Sequence, residues 1–134
     1  MEHEDLTGTI IGCAMKVHTA LGAGFLESVD RNALAHELRK TGLKIGCEQP
    51  IAVHYDGRIV GDFKADLLVE DAVIIELKAV QAFAAAHEVQ LVNYLTATGI
   101  DIGLLLNFGT SKLEFKRKYR VYKKKETGLT GSTG

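Results

Sequence analysis

Along the first part of the chain, Ile10, Ala14, Val17 and Leu21 recur at three- or four-residue intervals, and the run stops at Gly22 to Gly24. That spacing predicts a short amphipathic helix. The next segment, FLESVDRNALAHELRKTG, places Leu26, Val29, Ala33 and Leu38 on one side of a second helix, with basic residues in its last turn and Gly42 as its C-cap. From residue 43 to 79 the pattern changes to strand character, with β-branched residues, an Asp56-Gly57 turn and a short, nearly continuous apolar run, AVIIELKAV. AAAHEVQLVNYLTATG returns to helical spacing and closes at Gly99. IDIGLLLNFG then reads as a strand buried on both faces, and SKLEFKRKYRVY alternates as an edge strand. The predicted order is ααβββαββ, an α/β sandwich of mixed sheet with helices on at least one face. A helix between two strands allows a right-handed crossover and a parallel pair.

The 134 residues suit one domain, placed at 1–122. Residues 123–134, KKKETGLTGSTG, carry no periodicity and are expected to be a disordered tail. A formal net charge of −1 gives no general attraction to polyanions, so any affinity for nucleic acid has to come from where the charges lie. Cys13 and Cys47 have neither C-x-x-C nor zinc-ligand spacing and read as reduced thiols of a cytosolic protein, although spacing does not exclude a disulfide. No apolar run approaches the roughly 18 residues needed to span a bilayer, and the start MEHEDLTG is acidic where a signal peptide would be basic. A cytoplasmic protein with no membrane contact is expected.

The candidate chemistry lies in ADLLVEDAVIIELKAV, where Asp66, Glu76 and Lys78 interrupt apolar sequence. Unpaired buried charge costs several kcal/mol, so these groups need partners. Glu76 and Lys78 are two apart on a strand and leave one face, while Val73, Ile75 and Leu77 leave the other. An odd-length connection through Glu70, Asp71 and Ala72 would set Asp66 opposite Glu76, with Cβ atoms about 4.5–5.5 Å apart. Two carboxylates that close repel each other unless a cation sits between them. Mg²⁺ or Mn²⁺ is the natural occupant, held by one or two carboxylates and water where a phosphate is the substrate. Lys78 would then orient water or offset charge developing on the phosphate. The same residues also fit a plain Lys78–carboxylate bridge at a partly solvated sheet end.

Strand-Asp, turn, strand-Glu-x-Lys, helix and strand, in that order, resembles the core of the PD-(D/E)XK nuclease superfamily. GFLESV, KADLLVED, IIELKAV, HEVQLVNYL and GLLLNFG together resemble the GxxExxY family assigned to it, over roughly residues 7–120. The resemblance implies a restriction-endonuclease-like mixed sheet flanked by helices, with Asp66, Glu76 and Lys78 in the motif positions. It also implies that Glu27 assists metal or water binding, and that Gln90 and Tyr94 form a Q-x-x-x-Y signature near the site. Gln90 and Tyr94 are i and i+4 on a helix, hence on one face with His87 a turn earlier. Tyr94 also suits a core aromatic, Glu27 a residue complementing a helix dipole, and His87 a capping residue. In GFLESVD the final family Tyr is replaced by Asp30, an extra carboxylate that could add a ligand or repel phosphate.

Lys112, Lys116, Lys118 and Arg120 share one face of the last strand and offer sequence-independent phosphate contacts. They equally suit an edge strand protected against aggregation. The expected function is a metal-dependent nuclease hydrolysing phosphodiester bonds. Its catalytic set is Asp66, Glu76, Lys78, Glu27 and Gln90, the metal is on Asp66 and Glu76, and substrate lies along Tyr94 and the basic strand. Nucleic acid is the expected partner, DNA ahead of RNA, and a homodimer would suit cutting two strands. The alternative is a catalytically silent nuclease-fold module that binds nucleic acid or a protein.

Overall fold

The computed structural model describes residues 3–121, so the expected tail at 123–134 lies outside the described residues. The element order is α1 (His3–Leu21), α2 (Glu27–Lys40), β1 (Ile45–Tyr55), β2 (Arg58–Val69), β3 (Val73–Lys78), α3 (Ala85–Thr98), β4 (Ile102–Asn107) and β5 (Glu114–Tyr119). This is the predicted ααβββαββ order. The strands form one sheet in the order β1-β2-β3-β4-β5, antiparallel throughout except for the β3/β4 pair that α3 connects.

Helices cover both faces. Leu6, Ile10, Ala14 and Val17 of α1 and Leu34 and Leu38 of α2 pack against Val73, Ile75, Leu77, Leu104 and Leu106. On the other face, Leu91, Tyr94 and Leu95 of α3 pack against Ile74 and Leu105. β3 and β4 are therefore apolar on both sides, the price of lying in the middle of three layers. Among the described residues, no helix is long and apolar enough to cross a membrane.

The inward face of α2 departs from the expected one. Leu26 is 74% exposed and Val29 37%, while Asp30, Leu34, Ala35 and Leu38 are buried. Leu26 has an extended backbone at the cap, outside the helix, so the helical phase starts at Glu27. The i, i+4, i+8 row 30/34/38 then faces the sheet, and a carboxylate goes inward with it.

The β1/β2 hairpin turns at Asp56 and Gly57, both with positive φ (53° and 75°), as a two-residue hairpin loop requires. Its pairing runs the full length, from Ile45↔Val69 to Tyr55↔Arg58. β2 pairs with β3 only through Leu67↔Ile75, Leu68↔Ile74 and Val69↔Val73. The outer part of the hairpin is thus an arm that leaves the sheet just beyond Leu67.

Candidate active site

The arm parts from β3 at Asp66, and there side chains take over from the ladder. Asp66 N donates to Glu76 Oε2 at 3.1 Å, and Leu77 N donates to Asp66 Oδ2 at 2.8 Å. The three-residue connection 70–72 produces this register, with Glu70 and Asp71 both at φ 53°. Asp66 and Glu76 therefore stand side by side, as strand parity and loop length imply. Glu76 is 6% exposed and Asp66 half-buried.

Burial holds the Glu76 carboxyl well above the ordinary carboxylate range, and its hydrogen bond with the Asp66 carboxyl and the Asp66 charge push it further. Lys78, half-buried one alternation along β3, acts in the opposite sense. A divalent cation fits this donor set, because two acidic groups are in mutual reach and one is so buried that its charge needs a counter-ion. Among the described residues, no group of three or more His, Cys, Asp or Glu side chains is gathered for a metal. Water and backbone oxygens would have to complete the shell of such a cation.

Glu27 opens α2 and is exposed; its Oε2 accepts from Ala79 N at 3.2 Å, so it reaches the segment immediately after Lys78. Gln90 is exposed and Tyr94 buried. They line a cavity of about 830 Å³ between the hairpin arm and α3, with Val53, His54, Phe63 and Asn93 among its other walls. The Tyr94 phenol is raised, first by burial and then by the Glu76 and Asp66 charges. His87 caps α3, its Nδ1 accepting from Ala84 N at 3.0 Å.

The basic strand is largely engaged. Lys116 and Lys118 both bridge Glu88 of α3, at 2.8 and 3.0 Å, and Arg120 bridges Asp101 at 2.9 Å. Lys112 is exposed.

Two residues outside the expected catalytic set are also buried. Asp30 is 1% exposed, and its Oδ1 has no hydrogen-bond partner among the described residues. Burial raises its carboxyl to about 6, with the Glu27 charge adding to this and His18 opposing it. Asn107, fully buried and paired with Lys78, accepts from Val80 N (3.0 Å) and Gly109 N (2.9 Å). Its Nδ2 donates to Val80 O and Glu114 Oε1, each at 2.9 Å. It ties the ends of β3 and β4 together, and the signal was a lone amide inside GLLLNFG.

A family model described as PD-(D/E)XK nuclease superfamily matches residues 4–118. A search of curated proteins finds no match. Among solved structures, the fold is similar to the crystal structure of SSO0001, with TM-score 0.53, 15% identity, and 72% of this chain and 50% of that one covered. It is also similar to an alkaline exonuclease, LHK-Exo, from Laribacter hongkongensis, with TM-score 0.51, 17% identity, and 70% and 56% covered. The chain spans about half the length of these structures.

Proposed function

The chain belongs to the PD-(D/E)XK nuclease superfamily, and from that premise we propose that it is a metal-dependent nuclease hydrolysing phosphodiester bonds in nucleic acid, DNA ahead of RNA. The observation that carries this reading is the pairing of half-buried Asp66 with buried Glu76 at the point where β2 leaves β3, with Lys78 two residues further along β3. Asp66 and Glu76 would hold Mg²⁺ or Mn²⁺. Such an ion supplies positive charge at the scissile phosphate and acidifies water.

The chain's own groups do the rest. Lys78 orients the attacking water or offsets charge on the phosphate oxygens. Glu27, held to the Ala79 backbone, keeps the end of the motif strand in place. Gln90 and Tyr94 border the path of the strand. The G-x-x-E spacing that ends in Glu27, and the Gln90/Tyr94 pair on α3, support a closer relation to the GxxExxY family. Two copies would be needed to cut both strands of a duplex at once.

A second reading, a silent nuclease-fold module that binds nucleic acid or a protein, is favoured by the lack of a third protein ligand among the described residues. Calorimetric titration of Mn²⁺ into the parent and Asp66→Ala, followed by incubation with mixed DNA and RNA, separates the two. Asp66-dependent binding with metal-dependent cleavage supports the nuclease. A folded parent that neither binds Mn²⁺ nor cleaves supports the module.

A further inference from the structure

We propose that the groove between the β1/β2 arm and α3 is a subsite for one unstacked nucleobase of the strand being cut, so that the chain acts on single-stranded or frayed nucleic acid. This rests on the nuclease reading and names its substrate class.

The groove is built for a flat, uncharged, hydrogen-bonding group. Phe63 is 43% exposed although its ring is tilted against Tyr94, with centroids 5.6 Å apart and planes at 40°. Gly61 makes room for that ring: a Cβ there would stand 2.9 Å from Phe63 Cε2. The pairing of β1 with β2 shifts register between Val53 and His54, and both residues line the groove. Strict alternation would send one of them to the opposite face. Around the aromatic floor stand the Gln90 and Asn93 amides and the His54 imidazole, which offer donors and acceptors to a base edge.

Charge distinguishes this from a phosphate site. Among the described residues, no lysine, arginine or carboxylate lines the groove, so its walls suit a base and not a phosphate. Its volume of about 830 Å³ leaves ample room for one base. Its position links it to the chemistry. Tyr94 belongs both to the groove and to the buried cluster containing Ala65, next to Asp66 on β2, and Ile74, two residues before Glu76 on β3. A base whose own phosphate lies at the acidic pair therefore has an aromatic surface beside it. A stacked base pair keeps its faces covered and cannot use that surface; a single strand can.

The test is fluorescence anisotropy in EDTA. Fluorescein-labelled single-stranded DNA 12-mers, intact or with one abasic position moved along the strand, are compared with the blunt duplex. The proteins are the full chain, Phe63→Ala and Phe63→Leu, and Mn²⁺-dependent cleavage of the intact strand is followed in parallel. The expected result is tighter binding of the single strand and loss of about tenfold at one abasic position. Phe63→Ala should lose a similar factor on the intact strand and none on that abasic strand, with Phe63→Leu, which keeps bulk but no ring, between them.

A flat abasic scan, duplex binding as tight as single-strand binding, or no binding of either overturns the proposal. So does a Phe63→Ala variant that dissociates a dimer in sedimentation while binding DNA unchanged. Cleavage with a flat scan sinks the base subsite and leaves the nuclease standing. The expected scan without cleavage keeps the subsite and sinks the nuclease.

Discussion

Asp66 and Glu76 each accept a backbone N–H from the other's strand, Glu76 from Asp66 N at 3.1 Å and Asp66 from Leu77 N at 2.8 Å. The two side chains thus stand in for sheet hydrogen bonds where β2 and β3 separate. The same contacts that continue the sheet also hold two carboxyls together, and burial with the Asp66 charge beside it favours the protonated form of Glu76. A bound cation would relieve the repulsion between them differently, by taking the place of that proton.

The Glu76 carboxyl is raised above its ordinary value of 4.5, chiefly by burial. Its contribution to stability is therefore fully present below about pH 4.5 and is lost as pH rises through the folded value. Urea unfolding of the metal-free chain should show stability falling between pH 5 and 8, with a slope of at most ~1.4 kcal/mol per pH unit from this group. Glu76→Gln should flatten that decline and abolish Mn²⁺ binding. Calorimetry in buffers of different ionisation enthalpy should show proton release on Mn²⁺ uptake by the parent.

Asp30 titrates in a second window. Its carboxyl rises from 3.8 to about 6, so stability present below about pH 4 is lost as pH climbs through 6. Asp30→Asn should match the parent at pH 4 and exceed it at pH 8 by about 1 kcal/mol, because a buried charge is replaced by a neutral amide of the same shape. Equal stabilities at pH 8 would mean that Asp30 finds a partner for its charge.

What the sequence made legible follows from local periodicity. Parity on β3 and the three residues 70–72 were enough to set Asp66 beside Glu76, because strand register is fixed by loop length and by which face is apolar. Asp30 was harder, since Leu26 and Val29 offered a competing apolar stripe and only the start of the helix at Glu27 decides between them. The groove at Phe63 depends on a register shift between Val53 and His54 that no spacing in the chain announces. The partner of Lys116 is 28 residues away on α3, and alternation along β5 cannot reveal it.

Glu88 controls how much of the basic strand is free. It accepts from both Lys116 and Lys118, which hold its carboxyl below the ordinary range. Glu88→Gln removes an anion and releases two cations on one face. If that face meets phosphate, affinity for DNA should rise and the salt dependence should steepen by about one to two phosphate contacts. Thermal stability should change little, as for other solvent-screened ion pairs. Anisotropy titrations from low to moderate salt would read both effects. An unchanged salt slope would assign the lysines to holding α3 against β5.

Asn107 and Gly109 hold the end of the motif strand, and they can be separated experimentally. A Cβ on Gly109 would collide with Val80 N and Val80 O, backbone atoms that cannot swing aside. Gly109→Ala must therefore push the segment after Lys78 outward and break the Asn107 bonds to Val80. Asn107→Ala removes those bonds without adding bulk and leaves the Val80 N–H and C=O to find new partners, at a cost of about 2–4 kcal/mol. Both variants should melt below the parent, and the discriminating measurement is cleavage where each remains folded. Displacement of Lys78 predicts that kcat falls in Gly109→Ala while Mn²⁺ affinity stays near the parent's, because Glu76 lies two residue pairs deeper in the sheet with Asp66 held against it. Loss of Mn²⁺ affinity in step with kcat would show instead that the strand end and the acidic pair move as one unit.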